Sequence, residues 1–207
     1  MSNESPHFGP AKHPLLIVIS GPSGSGKDSV VRSLKKRDLP LHFVVTVNTR
    51  SPRPDENDGV DYVFISKARF DEMKVNGELL EDAKVYNDFK GVPKEQVQKA
   101  MASGKDVLMR LDVQGAATIR EVVPDAILVF LTISSEQKLL ERLKSRKTES
   151  EADLELRLAT AREEFKRVEE FDYVVVNRED RLDDAVDKIV AIIGTEHQRV
   201  HPRKVEL

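Results

Sequence analysis

Gly21, Pro22, Ser23, Gly24, Ser25, Gly26 and Lys27 fit the spacing G-x-x-x-x-G-K, and that spacing does phosphate chemistry. Glycines let successive backbone N–H groups converge on phosphate oxygens, and a helix that follows aims the positive end of its dipole at the same point. Lysine adds a full charge at the β/γ side. The apolar run Leu15–Ile19 ahead of the motif and the helical pattern from Ser29 behind it supply the strand and helix that this geometry needs. A chance Gly/Ser-rich turn would have neither. A dinucleotide fingerprint fails, because its third glycine would fall at Ser29. One position is off pattern: Asp28 stands where a Ser or Thr usually ligates magnesium. A carboxylate beside polyphosphate is repulsive unless a cation intervenes, so Asp28 is expected to be a Mg²⁺ ligand or to turn outward.

A second group of residues offers anion binding without a cradle. Thr46-Val-Asn-Thr-Arg50-Ser-Pro-Arg53-Pro places two arginine forks around a proline-stiffened turn. Such forks bind phosphate bidentately, although two surface arginines are as ordinary an explanation. Further on come Tyr62, Glu81 and Asp112-Val-Gln-Gly115, none of which means much alone. Residues 142–162 are dense in charge, with Arg142, Arg146 and Arg157 among them. A solvated helix pair explains such a segment, and so does a lid that brings arginines onto phosphates.

The elements that must hold these groups read as alternating strands and helices. Strand-like runs fall at Leu15–Ile19, His42–Val47, Tyr62–Ile65, Val107–Leu111, Ala126–Thr132 and Tyr173–Val176. Helical patterns fall at Ser29–Lys36, Lys67–Val75, Lys94–Ser103, Ser135–Ser145, Glu151–Val168 and Leu182–Ile193. That rhythm predicts an α/β protein with a mainly parallel sheet. Residues 42–92 break it with short strands and prolines, and read as an inserted subdomain. The first 13 residues read as a flexible leader without signal-peptide character, and the stretch from about Thr195 as a loose tail.

Composition narrows the partners. The 207 residues carry 39% hydrophobic and 33% charged side chains, a formal net charge of −3 and no cysteine. There is no global basic field for nucleic acid, no thiol chemistry, and no apolar run long enough to span a bilayer. A cytoplasmic protein is expected, with monomer and homodimer both open.

From about Leu15 to Ile193 the chain resembles guanylate kinase. The matching segments, in family order, are Gly21–Lys27, Thr49-Arg-Ser-Pro-Arg53, Gly59-Val-Asp-Tyr62, Leu80-Glu81, Asp112-Val-Gln-Gly-Ala116 and Arg142-Leu-Lys-Ser-Arg146. The resemblance implies a P-loop core with parallel sheet, an inserted nucleoside-monophosphate-binding subdomain (about 42–92) and a helical lid (about 142–162). It implies transfer of the ATP γ-phosphoryl to GMP, with Mg²⁺ accompanying ATP. Lys27 and the loop from Gly21 to Ser29 would hold ATP, with Asn177 at the adenine end. Arg50, Arg53, Tyr62 and Lys90 would hold the GMP phosphate, Glu81 and Thr46 the guanine, and Asp112 would lie near the sugar and base or the metal. Lys27, Arg50, Arg146 and Arg157 would stabilise the transferring phosphoryl.

The departures from the family are specific. Besides Asp28, Lys90 replaces a tyrosine and Val92 a hydroxyl residue, and Arg110 stands where many relatives have an acidic residue. Arg110 could pair with Asp112 or Glu81, or repel a bound cation. Kinases of ribose 1,5-bisphosphate also carry Gly-Lys-Asp-Ser, which keeps that acceptor open. A non-catalytic, protein-binding guanylate-kinase-like domain is the third reading.

Overall fold

The computed structural model describes residues 13–53, 56–85, 88–144 and 151–207. Along the chain run β1 (Leu16–Ser20), α1 (Lys27–Lys35), β2 (Leu41–Phe43), β3 (Val47–Asn48), β4 (Val63–Phe64), α2 (Lys67–Val75), β5 (Leu79–Val85), β6 (Asp88–Pro93) and α3 (Lys94–Ala102). They are followed by β7 (Asp106–Arg110), α4 (Val113–Val122), β8 (Ile127–Thr132), α5 (Glu136–Lys144), α6 (Glu151–Lys166), β9 (Tyr173–Val176) and α7 (Leu182–Glu196).

Five strands form a parallel sheet in the order β2-β7-β1-β8-β9. Every residue of β1 and β8 is buried, as continuous apolar runs require when helices cover both faces. The two-residue period divides β1 between two cores. Leu15, Ile17 and Ile19 pack with residues of α1 and α7, and Leu16 and Val18 with residues of α3 and α4. At about 1.5–3 kcal/mol for each fully buried aliphatic side chain, this double burial makes β1 the rigid stem from which the glycine loop springs.

A smaller mixed sheet, β4-β3-β6-β5, stands beside the first, with Phe70 and Met73 of α2 buried against Val47. The single strand expected at His42–Val47 is divided between the two sheets. The parallel ladder ends where Val45 N–H donates to the Gln96 side chain at 2.7 Å instead of to a neighbouring strand. Beyond that point the chain crosses to the second sheet. The β5–β6 hairpin was not apparent in the sequence, because Leu79-Leu-Glu-Asp-Ala-Lys-Val does not alternate cleanly. Helix α4 was missed too: Asp112 is its N-cap and accepts from Gly115 N–H at 2.9 Å.

The C-terminal segment, expected to be loose, is tied down. Helix α7 continues to Glu196, which is 1% exposed and bonded to Arg203 (3.0 Å) and the Tyr173 hydroxyl (2.5 Å). His197 Nε2 meets Asp106 Oδ2 at 2.7 Å, and Val205 packs on the core. No helix among the described residues is long and apolar enough to cross a membrane.

Candidate active site

The glycine loop, the ends of β3, β5 and β7, and α6 enclose a cleft of about 550 Å³ at the carboxyl ends of the parallel strands, where open α/β sheets place ligands. Among the described residues its lining carries nine Lys or Arg and six Asp or Glu. That local positive excess, on a chain of net charge −3, focuses attraction for polyanions.

The loop is shaped by steric necessity. Gly21 has φ +130°, and a Cβ there would lie 2.1 Å from the backbone oxygen of Leu131. Gly26, at φ +92°, is the N-cap of α1 with no side chain capping it, so first-turn N–H groups remain available to an anion. Lys27 Nζ folds back onto the carbonyls of Gly21 (2.5 Å) and Pro22 (3.0 Å). Burial drags its pKa down to about 8, with Glu164 and Asp28 pulling partly back. Ser23, Gly24, Asp28 and Ser29 line the cleft. Ser25 is fully buried, and Asn177 is buried behind the loop with its Nδ2 donating to Ser25 O at 2.9 Å. Asn177 therefore braces the loop and does not face the cleft. Arg142 joins the brace, donating to Asn177 O at 3.3 Å.

Across the cleft the wall is made of side chains. Arg50 forms a two-pronged ion pair with Glu56 (2.5 and 2.7 Å), and Glu56 also accepts from Arg53 N–H at 2.9 Å. The guanidinium of Arg50 lies 5.2 Å from the centre of the Tyr62 ring, with Lys90 Nζ at 6.0 Å from it. Glu81 is 4% exposed, and burial first, then Asp112 and Asp82, drives its carboxyl up to about 8. The space it occupies depends on Gly115, where a Cβ would sit 2.6 Å from Glu81 Oε1. Thr46, Arg53 and Asp112 complete this wall. Val92 pairs in register with Glu81 but is fully buried in the core.

From a third side, α6 presents Arg157, whose Nη1 donates to Ser23 Oγ at 3.3 Å. Two turns along the same helix, Glu164 sits in the cleft with Oε2 buried and without a hydrogen-bond partner. Burial pushes its carboxyl up, against the pull of Lys27. Arg146 lies outside the described residues.

Two residues of the site, Glu56 and Glu164, are not singled out by the sequence. Glu56 could have been found from its offset of three from Arg53, whose N–H it accepts, and Glu164 from its offset of seven from Arg157, which puts both on one face of a helix. Gly115 was noted only as part of a motif. Arg110, for which pairing with Asp112 or Glu81 and repulsion of a bound cation were both open, bonds to Asp28, its Nη1 donating to Asp28 Oδ1. This also changes the reading of Asp28 as a metal ligand, since a guanidinium now occupies that carboxylate. No group of three or more His, Cys, Asp or Glu side chains among the described residues could hold a metal ion. Among the described residues the donor set does not fit a divalent cation held by protein groups alone.

A parallel α/β sheet, a glycine cradle followed by a helix, and a facing wall of arginines define a P-loop nucleotide phosphotransferase. The comparisons with known proteins narrow the class. The guanylate kinase family model matches residues 13–196, and the chain belongs to the guanylate kinase family. It is 49% identical to guanylate kinase 2, chloroplastic/mitochondrial, of Oryza sativa subsp. japonica over 96% of this chain and 70% of that protein. It is 39% identical to the guanylate kinase of Clostridioides difficile (strain 630) over 91% of each. The crystal structure of guanylate kinase from Anaplasma phagocytophilum superimposes with a TM-score of 0.77 at 27% identity, covering 91% of this chain and 89% of the other.

Proposed function

We propose that the protein transfers the γ-phosphoryl group of ATP to GMP, yielding ADP and GDP, with magnesium carried by the nucleotide's own phosphates. The observation that carries this reading is the buried Glu81 carboxyl beside Arg50, Arg53, Tyr62 and Lys90, facing the glycine cradle across one cleft. A carboxylate accepts the paired N1–H and N2–H donors of guanine, which adenine cannot offer in that arrangement.

Each residue then has a physical task. Loop N–H groups and the α1 terminus hold the ATP phosphates, and Lys27 exchanges its two carbonyl partners for phosphate oxygens. Arg50 and Arg53 fork onto the GMP phosphate, with Glu56 keeping Arg50 oriented. Lys90 adds a point charge, Tyr62 a neutral hydroxyl, and Thr46 a hydroxyl for the base. A GMP phosphate oxygen forms the new bond to the γ-phosphorus as the bond to the β–γ bridging oxygen breaks. Arg157 faces the charge that spreads over the transferring group. The acceptor is already an anion, so no general base is needed, and positioning with electrostatics supplies the catalysis.

A coupled assay for ADP tests the reading. Turnover with ATP, Mg²⁺ and GMP is expected to exceed that with AMP or ribose 1,5-bisphosphate by at least about a hundredfold, the selectivity a buried hydrogen-bonding site imposes. Equal or faster turnover with the sugar bisphosphate would make that compound the acceptor, and ATP binding without turnover of any acceptor would make the domain a non-catalytic one.

A further inference from the structure

Three cations crowd a single ring. Arg110, Arg50 and Lys90 lie 4.8, 5.2 and 6.0 Å from the centre of Tyr62. Like charges at that spacing repel, and each arginine is held by a carboxylate. The two anchors come from opposite walls. Glu56 holds Arg50 from the acceptor side, whereas Asp28, on the first turn of α1 beside Lys27, holds Arg110 from the donor side. Arg110 is the more enclosed partner, its side chain 18% exposed against 49% for Asp28. It leaves the end of β7 and leans across the cleft floor toward Tyr62.

We propose that Asp28 and Arg110 work as a unit joining the two nucleotide sites: Asp28 is a positioning residue that aims Arg110 at the acceptor phosphate, and Arg110 neutralises the carboxylate that would otherwise repel the ATP polyphosphate. The pair gives the acceptor site a further arginine and fills the metal-ligand position of the glycine motif with an anchor. Asp28 gains a second reason to sit there, since an anion is favoured at a helix N-terminus. The idea rests on the guanylate kinase reading for the identity of the acceptor, and on geometry alone for the coupling.

A four-protein binding cycle tests it: the parent, Asp28→Asn, Arg110→Met and the double variant, each titrated calorimetrically with GMP and with ATP, in magnesium and in EDTA. Arg110→Met is expected to weaken GMP about tenfold, the loss of one charge-assisted contact. It should also weaken ATP about fivefold in EDTA, because Asp28 loses the guanidinium that offsets its charge beside the phosphates. Asp28→Asn should weaken GMP about threefold by releasing Arg110, and leave the magnesium-dependent gain in ATP affinity unchanged. The double variant should regain ATP affinity to within about twofold of the parent while GMP stays weak.

Arg110→Lys keeps the charge and loses the fork, so it should hold ATP normally and recover only part of the GMP affinity. That variant and Asp28→Asn carry the test if Arg110→Met fails to fold. Additive losses in the double variant overturn the unit. So does an Asp28→Asn protein that binds GMP as the parent does and loses its magnesium-dependent ATP affinity, which makes Asp28 a metal ligand. A parent protein that does not bind GMP defeats the proposed reaction instead, and the ATP titrations then still decide whether the two residues are coupled.

Discussion

The two walls of the cleft solve the same problem with different materials. The donor wall is backbone, seven consecutive residues whose shape is forced by Gly21 against β8 and Gly24 against α5, and braced by Asn177. The acceptor wall is side chain, assembled from Arg50, Glu56, Tyr62, Glu81 and Lys90 on separate strands and loops of the second sheet. Phosphates are common to all nucleotides, and a ring of N–H groups suffices for them. A base must be told from other bases, and that takes a buried carboxyl whose position depends on Gly115, in a different element. Generic binding can be local in sequence; discrimination has to be long-range.

If the donor wall is rigid backbone, one methyl group should ruin it. Gly21→Ala puts a Cβ 2.1 Å from a backbone oxygen of β8 that cannot swing aside, at a φ that side chains rarely adopt. The strain is of order 3 kcal/mol, so ATP affinity should fall about a hundredfold. GMP binding should stay within about threefold of the parent, since the acceptor wall shares no backbone with the loop. Titration calorimetry with each nucleotide checks both halves, and a parallel loss of GMP affinity would break the contrast between the walls.

The acceptor wall should fail by chemistry, with its shape intact. Glu81→Gln preserves volume and replaces an acceptor pair with one acceptor and one donor facing guanine N–H groups. A hydrogen bond to a charged group contributes about 1.5–3 kcal/mol, so the KM for GMP should rise more than tenfold and the preference over AMP should shrink. The KM for ATP should change less than about twofold. Unchanged GMP kinetics would remove Glu81 from the site.

The same contrast explains what could be read from the sequence. The donor wall was legible residue by residue, because its signal is seven adjacent positions flanked by an apolar run and a helical pattern. The five-stranded sheet was legible for a related reason: β1, β7 and β8 are built on the continuous apolar runs Leu16–Ile19, Val107–Met109 and Ile127–Leu131. Tyr62 and Glu81 became candidates only through their order in a family pattern, since nothing local marks a glutamate for burial. Arg50 and Arg53 stood out as forks around a proline-stiffened turn, which two surface arginines explain as well. The Asp28–Arg110 pair spans 82 positions and has no local signature. The tail misled for the opposite reason. His197-Gln-Arg-Val-His-Pro is polar, yet His197 bonds to Asp106, and Arg203 just beyond it pairs with Asp172 and Glu196.

A pH profile gives the smallest effect and the sharpest contrast, because the two walls should respond in opposite directions. Burial, above all, pushes the Glu81 carboxyl up to about 8, yet it must be ionised to accept from guanine. GMP binding therefore expels a proton below that pH, and the KM for GMP should rise roughly fivefold between pH 8 and pH 7. The second ionisation of the GMP phosphate, near pH 6, leaves that window clear. Lys27, lowered to about 8 by burial, must be protonated to hold ATP, so the KM for ATP should rise as pH climbs above 8. Glu81→Gln should flatten the GMP profile and leave the ATP profile sloping. If both profiles flatten together, the two titrations are coupled, and the walls are electrostatically one site.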